Sequence, residues 1–317
     1  MSASNTPTYC ESMPVPALPV EGLIGVIAPA GPATLDAHKA LQWMQARGYS
    51  LKVFPGVTAK EGYLAGSDEV RLSDLHAAFA DPQVDAILCL RGGYGSPRLL
   101  DGIDFDLLRR NAKPFVGYSD ITALHVAISR YAGIVTFHGA MLNADLLGNK
   151  QQPTESSLFR MLRGQLKRGS VLPHPAAYPL VTVEPGIAQG RLMGGNLSMI
   201  AATLGTPYEL DAEGIILFIE DVNEPLYRID RLLTHLRLAG KLATIGGVLV
   251  GDVAGVDGQA LQALLKQTFA PLRIPVLAGW RSGHCDPNLT LPLGAMVRLD
   301  AGNQELRLEQ DVVLLPL

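Results

Sequence analysis

The sequence predicts an α/β fold, with an open parallel sheet in its N-terminal part and a smaller C-terminal α/β domain with its own sheet. The first observation is a rhythm in which short apolar segments alternate with amphipathic helical segments. The second is that Val84–Leu90 (VDAILCL) is continuously apolar, as strands buried on both faces of a parallel sheet are. The third is the length of 317 residues, which exceeds a typical single core and predicts two domains.

The N-terminal elements follow one another with short connections. Strands are predicted at Gly22–Ala28, Ser50–Phe54, Val84–Leu90, Pro114–Val116 and Ile134–Phe137, and helices at Leu35–Gly48, Val70–Ala80 and Asp120–Tyr131. Ligands of open parallel sheets bind beyond the carboxyl ends of the strands. The segment RGGYG (91–95), Ser119 and His138 all follow or end predicted strands, so we expect the functional site at that edge.

The C-terminal elements form a second series after a connection. Strands are predicted at Gly190–Met193, 213–221, 246–252 and 275–279, and helices at 196–205, Pro225–Leu238 and Gln259–Phe269. Residues 295–309 alternate apolar and polar around AGN, which predicts a β-hairpin. The predicted division is an N-terminal domain at 1–150, a linker at 151–180 with a helix at Thr154–Leu166, and a C-terminal domain at 181–317.

Composition and charge disfavour several classes of function. The net charge is −4 and no basic run is present, so neither nucleic acid nor an anionic membrane is an expected partner. No apolar run reaches the roughly 18 residues that a membrane span needs. The first 23 residues lack the basic and apolar regions of a signal peptide, which predicts a cytoplasmic protein with a disordered or loosely packed lead-in. The three cysteines, Cys10, Cys89 and Cys285, have no disulfide or metal spacing, and no cofactor is expected.

Ser119 stands in KPFVGYSDITAL (113–124), where an apolar strand turns directly into helical spacing. Serine is a favoured helix N-cap, so one interpretation of Ser119 is purely structural. The other is a nucleophile on a strand-to-helix elbow, with Gly117 permitting the tight turn. No glycine stands at position 121, so the full G-x-S-x-G pattern is absent. Both interpretations stay open on position alone.

The glycine loop RGGYG (91–95) also has two interpretations. It is either a turn after a strand or an oxyanion hole, because backbone N–H groups approach a substrate closely where side chains are absent. In the second case, the N–H groups of Gly93 and Asp120 are the predicted donors. A phosphate cradle is disfavoured, because neither G-x-G-x-x-G nor G-x-x-x-x-G-K-[ST] occurs.

Seven histidines compete for the role of general base. His284 lies in the polar loop SGHCDPN (282–288), and loops after strands commonly carry catalytic residues. His138 ends a strand of the predicted N-terminal sheet and is a close competitor. The remaining five lie in helices, in the linker or too near Ser119 along the chain: His38, His76, His125, His174 and His235.

Glu220 is the best candidate for the acid that orients the base. It closes the apolar strand IILFIE (215–220), and a carboxylate at the rim of a buried element is costly unless it is paired. The charged segment after it is in part a solvated helix face, and the rest is suited to a zwitterionic substrate. Its charged residues are Asp221, Glu224, Arg228, Asp230 and Arg231.

Five segments together resemble the LD-carboxypeptidase family, which consists of serine peptidases that include muramoyltetrapeptide carboxypeptidases. They are, in order, RGGYGSPRLL (91–100), GYSDITAL (117–124), GRLMGGNLSMIAATLGTP (190–207), LFIEDVNEPLYRIDRLLTHL (217–236) and SGHCDPNLTLPLG (282–294). The resemblance implies Ser119 as nucleophile, Glu220 as acid and His284 as base, in a site between two domains of a homodimer. The chain departs from the family at Ala140, because proline often follows the His-Gly pair in the family. The family pattern therefore does not predict the geometry of this loop, whereas the three catalytic residues are unaffected.

The resemblance also implies the reaction. The substrate is a small murein peptide, and the bond cleaved is the one between diaminopimelate (or lysine) and the terminal D-alanine, as in peptidoglycan recycling. The free carboxylate of the leaving residue needs a cation, for which Arg231 is predicted.

Two alternatives stay open. In the first, the chain is a peptidase or amidase of the same family that detoxifies a peptide–nucleotide antibiotic such as microcin C7. Such a protein is expected to carry an extra loop with an aromatic residue before the acid. The short segment between His138 and Glu220 has few aromatics, which disfavours it: Phe159, Tyr178, Tyr208 and Phe218. The other alternative is a non-enzymatic sugar- or nucleotide-binding protein, whose Ser119 would react with an acylating probe no faster than other serines.

Overall fold

The structure is a computed structural model, and it describes residues 12–33 and 36–315. The strands are β1 (Val15–Pro16), β2 (Leu23–Ile27), β3 (Ser50–Val53), β4 (Ala86–Cys89), β5 (Phe115–Gly117), β6 (Thr136–His138), β7 (Val181–Glu184), β8 (Ile187–Asn196), β9 (Ile216–Val222), β10 (Gly247–Ala254), β11 (Val276–Ala278), β12 (Leu291–Leu293), β13 (Met296–Asp300), β14 (Glu305–Leu308) and β15 (Val313–Leu314). The helices are α1 (Ala37–Gln45), α2 (Asp68–Ala80), α3 (Phe105–Arg110), α4 (Thr122–Ala127), α5 (Thr154–Leu162), α6 (Leu197–Ala202), α7 (Leu226–Leu238) and α8 (Gly258–Phe269).

The first sheet has six strands in the order β12-β6-β5-β4-β2-β3. All neighbours within β6 to β3 are parallel, and β12 is antiparallel to β6. Every residue of β4 is buried, because helices cover both faces of such a sheet. The predicted open parallel sheet is therefore confirmed, together with each of its five predicted strands.

The second sheet has seven strands in the order β14-β13-β8-β9-β10-β11-β7. Its centre, β8 to β11, is parallel, and the flanking strands β7, β13 and β14 are antiparallel. The hairpin predicted at 295–309 is β13 and β14, which pair in register from Val297 with Leu308 to Asp300 with Glu305. The predicted fold class, with a second sheet of its own in the C-terminal part, is confirmed.

Helix boundaries follow local capping. The side chain of Ser67 accepts a hydrogen bond from the N–H of Val70, and α2 therefore begins at Asp68 rather than at the predicted Val70. Asp36 caps α1 in the same way, and the predicted first residue of that helix, Leu35, lies outside the described residues. The helix predicted at 120–131 is a short 3₁₀ turn (Ser119–Ile121), then α4, then a π-helical turn (Ile128–Ala132).

Two pairings depart from the predicted arrangement. The segment Leu291–Leu293, which lies in the predicted C-terminal domain, forms β12 of the first sheet and covers the edge of β6. The described part of the lead-in is ordered, because β1 pairs with β15 and Val15 and Leu18 are buried.

The division at residues 150 and 180 stays a prediction. Among the described residues, no helix combines the length and the hydropathy that a bilayer crossing needs.

Candidate active site

Ser119 stands on a sharp elbow between β5 and a helix. Its φ is +65°, a left-handed conformation that is strained for a residue with a side chain. Gly117 is required there, because a Cβ at this position would lie 2.9 Å from Ile121 Cγ2 on the returning helix. The residue that precedes the 3₁₀ turn is Tyr118, and no side chain caps that turn. The interpretation of Ser119 as a helix cap is therefore wrong, and its Oγ lies 3.1 Å from His284 Nε2 instead.

The glycine loop after β4 packs directly against Ser119. A Cβ on Gly92 would lie 2.9 Å from Ser119 Cβ and 3.1 Å from its Oγ, so only glycine fits there. The carbonyl of Gly92 accepts a hydrogen bond from the N–H of Gly31 at 3.2 Å, which anchors the loop. Within the described ranges, the N–H groups of Gly93 and Asp120 have no acceptor, so both are available to a ligand.

Replacing Gly92 with alanine is expected to lower kcat by about 10²-fold, because the added methyl group displaces the Ser119 hydroxyl from His284. Gly258→Ala is the matched control, since a Cβ at Gly258 meets no atom within 4 Å. Steady-state kinetics of both variants, with thermal melting to verify folding, test this expectation. A folded Gly92→Ala protein with unchanged kcat would contradict it.

Glu220 and His284 complete a chain of hydrogen bonds that starts at Ser119. Glu220 lies on β9 and is fully buried, and His284 follows β11 in the loop 282–288. The Nδ1–H of His284 donates to Glu220 Oε2 at 2.7 Å, which leaves Nε2 as the acceptor for the Ser119 hydroxyl. The order is the one that activates a serine: hydroxyl, imidazole and carboxylate.

Burial and neighbouring charges shift the pKa values of both His284 and Glu220. Burial alone lowers the pKa of His284, but the hydrogen bond to Glu220 and its negative charge reverse that effect and raise the pKa above that of an ordinary histidine. Burial alone raises the pKa of Glu220, but His138 and His284 reverse it and hold the carboxyl well below its usual range. Glu220 is therefore ionised at neutral pH and able to stabilise an imidazolium on His284.

The loop that carries His284 is held on both sides. Asn288 Oδ1 accepts from the N–H of Gly283 at 2.9 Å, and the N–H of Asn288 donates to Thr154 Oγ1 at 2.9 Å. Gly283 has a φ of +112°, and a Cβ there would lie 2.5 Å from Glu220 Oε2. The predicted linker thus supports the site through Thr154, at the start of α5.

The two sheets meet at their carboxyl ends, beside the hydrogen-bonded side chains of Ser119, His284 and Glu220. The N–H of Asn196, at the end of β8, donates to Thr122 Oγ1 on α4 at 2.9 Å. Asp221, next to Glu220, accepts from Asn196 Nδ2 at 3.1 Å and from Ser198 Oγ at 2.8 Å. These bonds fix the acid-bearing strand relative to the serine-bearing elbow.

His138, the other predicted base, does not contact Ser119. It is fully buried, and its Nε2 lies 3.7 Å from Glu220 Oε1, which is the carboxylate oxygen that is not hydrogen-bonded to His284. His138 is therefore corrected from a competitor for the base to a neighbour of the acid. His125 is buried between the carbonyl of Gly117 and Thr136 Oγ1, and burial lowers its pKa to about 3.

Two other predicted site residues, Asp120 and Arg231, have side chains that do not take part in the hydrogen bonds that join Ser119, His284 and Glu220. The Asp120 carboxylate is buried, and its Oδ2 accepts from the N–H of Ser96 at 2.8 Å, so the part of Asp120 that can reach a ligand beside Ser119 is its backbone N–H. Arg231 is exposed on α7, with its guanidinium carbon 6.0 Å from the centre of the Tyr227 ring. The structure does not bring Arg231 into contact with Ser119, Glu220 or His284.

One wall of the site was not foreseen from the sequence. The Tyr118 ring lies edge-on to the His284 ring at 5.0 Å between centres, and its hydroxyl donates to Asp145 Oδ1 at 3.2 Å. Asp145 is fully buried and pairs with Lys150, whose Nζ is 5.5 Å from the centre of the Tyr118 ring. The adjacency of Tyr118 to Ser119 was a usable signal, whereas no pattern in the sequence marks Asp145 and Lys150.

Comparison with known proteins assigns both halves of the chain. Residues 24–139 match the family model described as the LD-carboxypeptidase N-terminal domain, and residues 189–299 match the one described as the LD-carboxypeptidase C-terminal domain. A Bacillus subtilis (strain 168) protein named "Probable murein peptide carboxypeptidase" is 39% identical over 298 residues, which cover 91% of this chain and 92% of that protein.

Two solved structures are similar to the chain over most of its length. The crystal structure of the muramoyltetrapeptide carboxypeptidase from Oxalobacter formigenes has a TM-score of 0.77 and 31% identity, and covers 90% of this chain and 97% of that one. The microcin C7 self immunity protein MccF, in its wild-type apo state, has a TM-score of 0.85 and 25% identity, and covers 95% of this chain and 100% of that one.

Proposed function

The chain belongs to the LD-carboxypeptidase family, and we propose that it removes the terminal D-alanine from murein tetrapeptides with Ser119 as nucleophile, His284 as base and Glu220 as orienting acid. The observation that carries the proposal is the hydrogen-bond chain of 3.1 Å and 2.7 Å that joins these three side chains. The strained elbow at Ser119 supports the same assignment, because it presents the hydroxyl at the sheet edge.

Acylation follows from these roles. Ser119 Oγ attacks the carbonyl carbon of the third residue, diaminopimelate or lysine, while its proton passes to His284 Nε2. The resulting imidazolium is stabilised by Glu220 through the Nδ1–H bond. The tetrahedral intermediate then collapses, the C–N bond breaks, and His284 returns the proton to the amine of the departing D-alanine.

Deacylation repeats the sequence with water. His284 takes a proton from water, the hydroxide oxygen attacks the ester carbonyl, and the proton is returned to Ser119 as the tripeptide leaves. In both steps, we propose that the N–H groups of Gly93 and Asp120 hold the oxyanion. Their lack of acceptors within the described residues supports this role, since preorganised donors act without reorganisation during the reaction.

Murein tetrapeptide is the substrate class that the relatives support best. The named murein peptide and muramoyltetrapeptide carboxypeptidases are 39% and 31% identical, against 25% for the microcin immunity protein. Two of the aromatics before the acid are also engaged in the protein core: Phe218 is fully buried and Phe159 stacks on Tyr49. Detoxification of a peptide–nucleotide antibiotic remains the alternative.

We further propose a homodimer that acts in the cytoplasm on murein peptides of peptidoglycan recycling. The described cysteines, Cys89 and Cys285, are unpaired, which fits a reducing compartment. Analytical ultracentrifugation of the purified protein measures the assembly directly.

The deciding assay is release of D-alanine from muramoyl-tetrapeptide at neutral pH, followed by mass spectrometry. Release by the wild type and not by Ser119→Ala supports the reaction and the nucleophile together. A folded wild type that releases nothing would overturn the tetrapeptide substrate. The same preparation incubated with aspartyl sulfamoyl adenosine then tests the alternative, through cleavage of the aminoacyl group from the nucleoside.

Arg231 is proposed to bind the free carboxylate of the leaving D-alanine. Its guanidinium is exposed and has no carboxylate partner among the described side chains, whereas Arg228 on the same helix pairs with Glu224 at 3.3 Å. We expect Arg231→Ala to raise KM about tenfold, and Arg228→Ala, the matched control, to leave it unchanged. Steady-state kinetics with the tetrapeptide measure both, and equal KM values in all three proteins would reject the assignment.

A further inference from the structure

A second buried histidine faces the carboxylate of Glu220 at the oxygen that His284 leaves unused. His138 Nε2 lies 3.7 Å from Glu220 Oε1, and both side chains are fully buried. Among the described atoms, neither Oε1 nor Nε2 has a hydrogen-bond partner at normal distance. Two buried polar atoms that face only each other are costly unless a proton lies between them.

Among the described residues, no other side chain or N–H group is within hydrogen-bond distance of the Glu220 carboxylate. Glycine backbone packs against Glu220 from two sides, since a Cβ on Gly283 would lie 2.5 Å from Oε2 and one on Gly251 would lie 3.1 Å from Glu220 Cβ. The two imidazoles of His138 and His284 are thus the groups that can neutralise the buried charge.

The protonation of His138 is indicated by Ser282. The Ser282 hydroxyl donates to the carbonyl of Leu289 at 2.8 Å, which turns its lone pairs toward His138 Nδ1 at 3.3 Å. With the hydroxyl hydrogen assigned to the shorter bond with Leu289, Nδ1 is assigned as the donor to Ser282. In a neutral imidazole, Nε2 would then present a lone pair to the Glu220 carboxylate, which is repulsive. An imidazolium removes that conflict, because both nitrogens donate.

In the part of the chain that the structure describes, the other groups around His138 do not supply a competing charge. The centre of the His138 ring is 5.7 Å from that of Tyr118, which lies on the side of the elbow, and 4.9 Å from that of Phe218 on β9. His125 on α4 is 6.5 Å away between ring centres, and its lowered pKa keeps it neutral. Asp145 lies beyond Tyr118, where Lys150 pairs with it.

We propose that His138 is a positioning residue, held as an imidazolium whose Nε2–H is directed at Glu220 Oε1, so that Oε2 stays aligned on His284. The inference rests on the proposed function of Glu220 and His284. The cation offsets part of the Glu220 charge, so that His284 remains a neutral base to lower pH than it would beside an unshared carboxylate. The buried acid thus serves two histidines, and only His284 exchanges protons with Ser119.

Nitrogen-15 NMR of the histidine side chains tests the protonation without any substrate. The His138 signals are identified as those missing from His138→Gln, and we expect both nitrogens protonated in the wild type around pH 7 to 8. Glu220→Gln should abolish this signature. A neutral His138 in the wild type at neutral pH would overturn the proposal, whatever the protein hydrolyses.

The pH profile of kcat/KM tests the consequence for the reaction. In His138→Gln, the amide still donates to Glu220 but the positive charge is gone, so the acid limb should move up by about one pH unit, with kcat on the plateau reduced by less than about tenfold. His76→Gln, a remote histidine on α2, is the control and should leave the limb in place. An unmoved limb in His138→Gln would mean that His138 only fills space.

A second variant covers the case in which His138→Gln does not fold. Ser282→Ala removes the acceptor at Nδ1 while leaving both histidines and Glu220. The charge on His138 is then less well held, so we expect the acid limb of kcat/KM to move up in this variant, in the same direction as in His138→Gln. An acid limb that stays in place in a folded Ser282→Ala protein would contradict the proposed arrangement.

Discussion

Replacing Ser119 with alanine is expected to lower kcat for D-alanine release by about 10⁴- to 10⁶-fold, because no other group in the proposed site can form the acyl-enzyme. The fold should be retained, since alanine keeps the backbone of the elbow and removes one oxygen. The residual rate comes from substrate binding and from the free N–H groups of Gly93 and Asp120.

A serine-directed acylating probe provides a second measurement of the same prediction. The wild type should be labelled at Ser119, which peptide mapping identifies, and Ser119→Ala should not be labelled. Ser73→Ala, at an exposed serine on α2, is the control and should keep full labelling and full activity. Labelling of Ser119 no faster than of Ser73 would favour the non-enzymatic binding protein.

Glu220→Gln is the second large effect, with an expected loss on the order of 10⁴-fold in kcat at neutral pH. The substitution keeps the size of the side chain and removes the charge that stabilises the His284 imidazolium. A neutral amide is also able to present its N–H to Nδ1, which leaves the imidazole in the wrong tautomer to accept the Ser119 proton.

The same variant changes the pH dependence in a defined direction. In the wild type, Glu220 raises the pKa of His284, so kcat/KM should fall as pH drops through a value above that of an ordinary histidine. Without the charge, the burial of His284 dominates and lowers its pKa, and the acid limb should move to lower pH. An acid limb that stays in place in Glu220→Gln would show that a group other than His284 controls it.

The two effects separate the roles within the site. Loss of Ser119 removes the bond-forming atom and leaves the titration of His284 intact. Loss of Glu220 affects both the rate and the titration, because its carboxylate acts on the imidazole and not on the substrate. Profiles of both variants therefore distinguish nucleophile from orienting acid without further structures.

Most of the fold was predictable because its elements are specified locally. Apolar runs and helical spacing fall on the observed elements, and the boundaries differ where capping residues such as Ser67 act. The pairings that were missed, β1 with β15 and β12 with β6, involve two or three residues each. Such short strands have no period of their own, and they form because a distant sheet edge offers unpaired backbone groups.

The sequence by itself determined the family, the two-sheet α/β class and the elements that carry Ser119, Glu220 and His284. Its local rules could not separate cap from nucleophile at Ser119, because both occupy the start of a helix. The positive φ of Ser119 and its close contact with Gly92 follow from how neighbouring strand ends pack.

Only the tertiary structure decided what each histidine faces. His138 is the last residue of a strand and His284 lies in a loop after one, and nothing local to either distinguishes a base from a partner of the acid. Ser119 and His284 are 165 residues apart in the chain, and the distance between their reacting atoms depends on how the two sheets dock at their carboxyl ends. That docking is a sum of long-range contacts, such as Asn196 with Thr122, which no single segment of the sequence encodes.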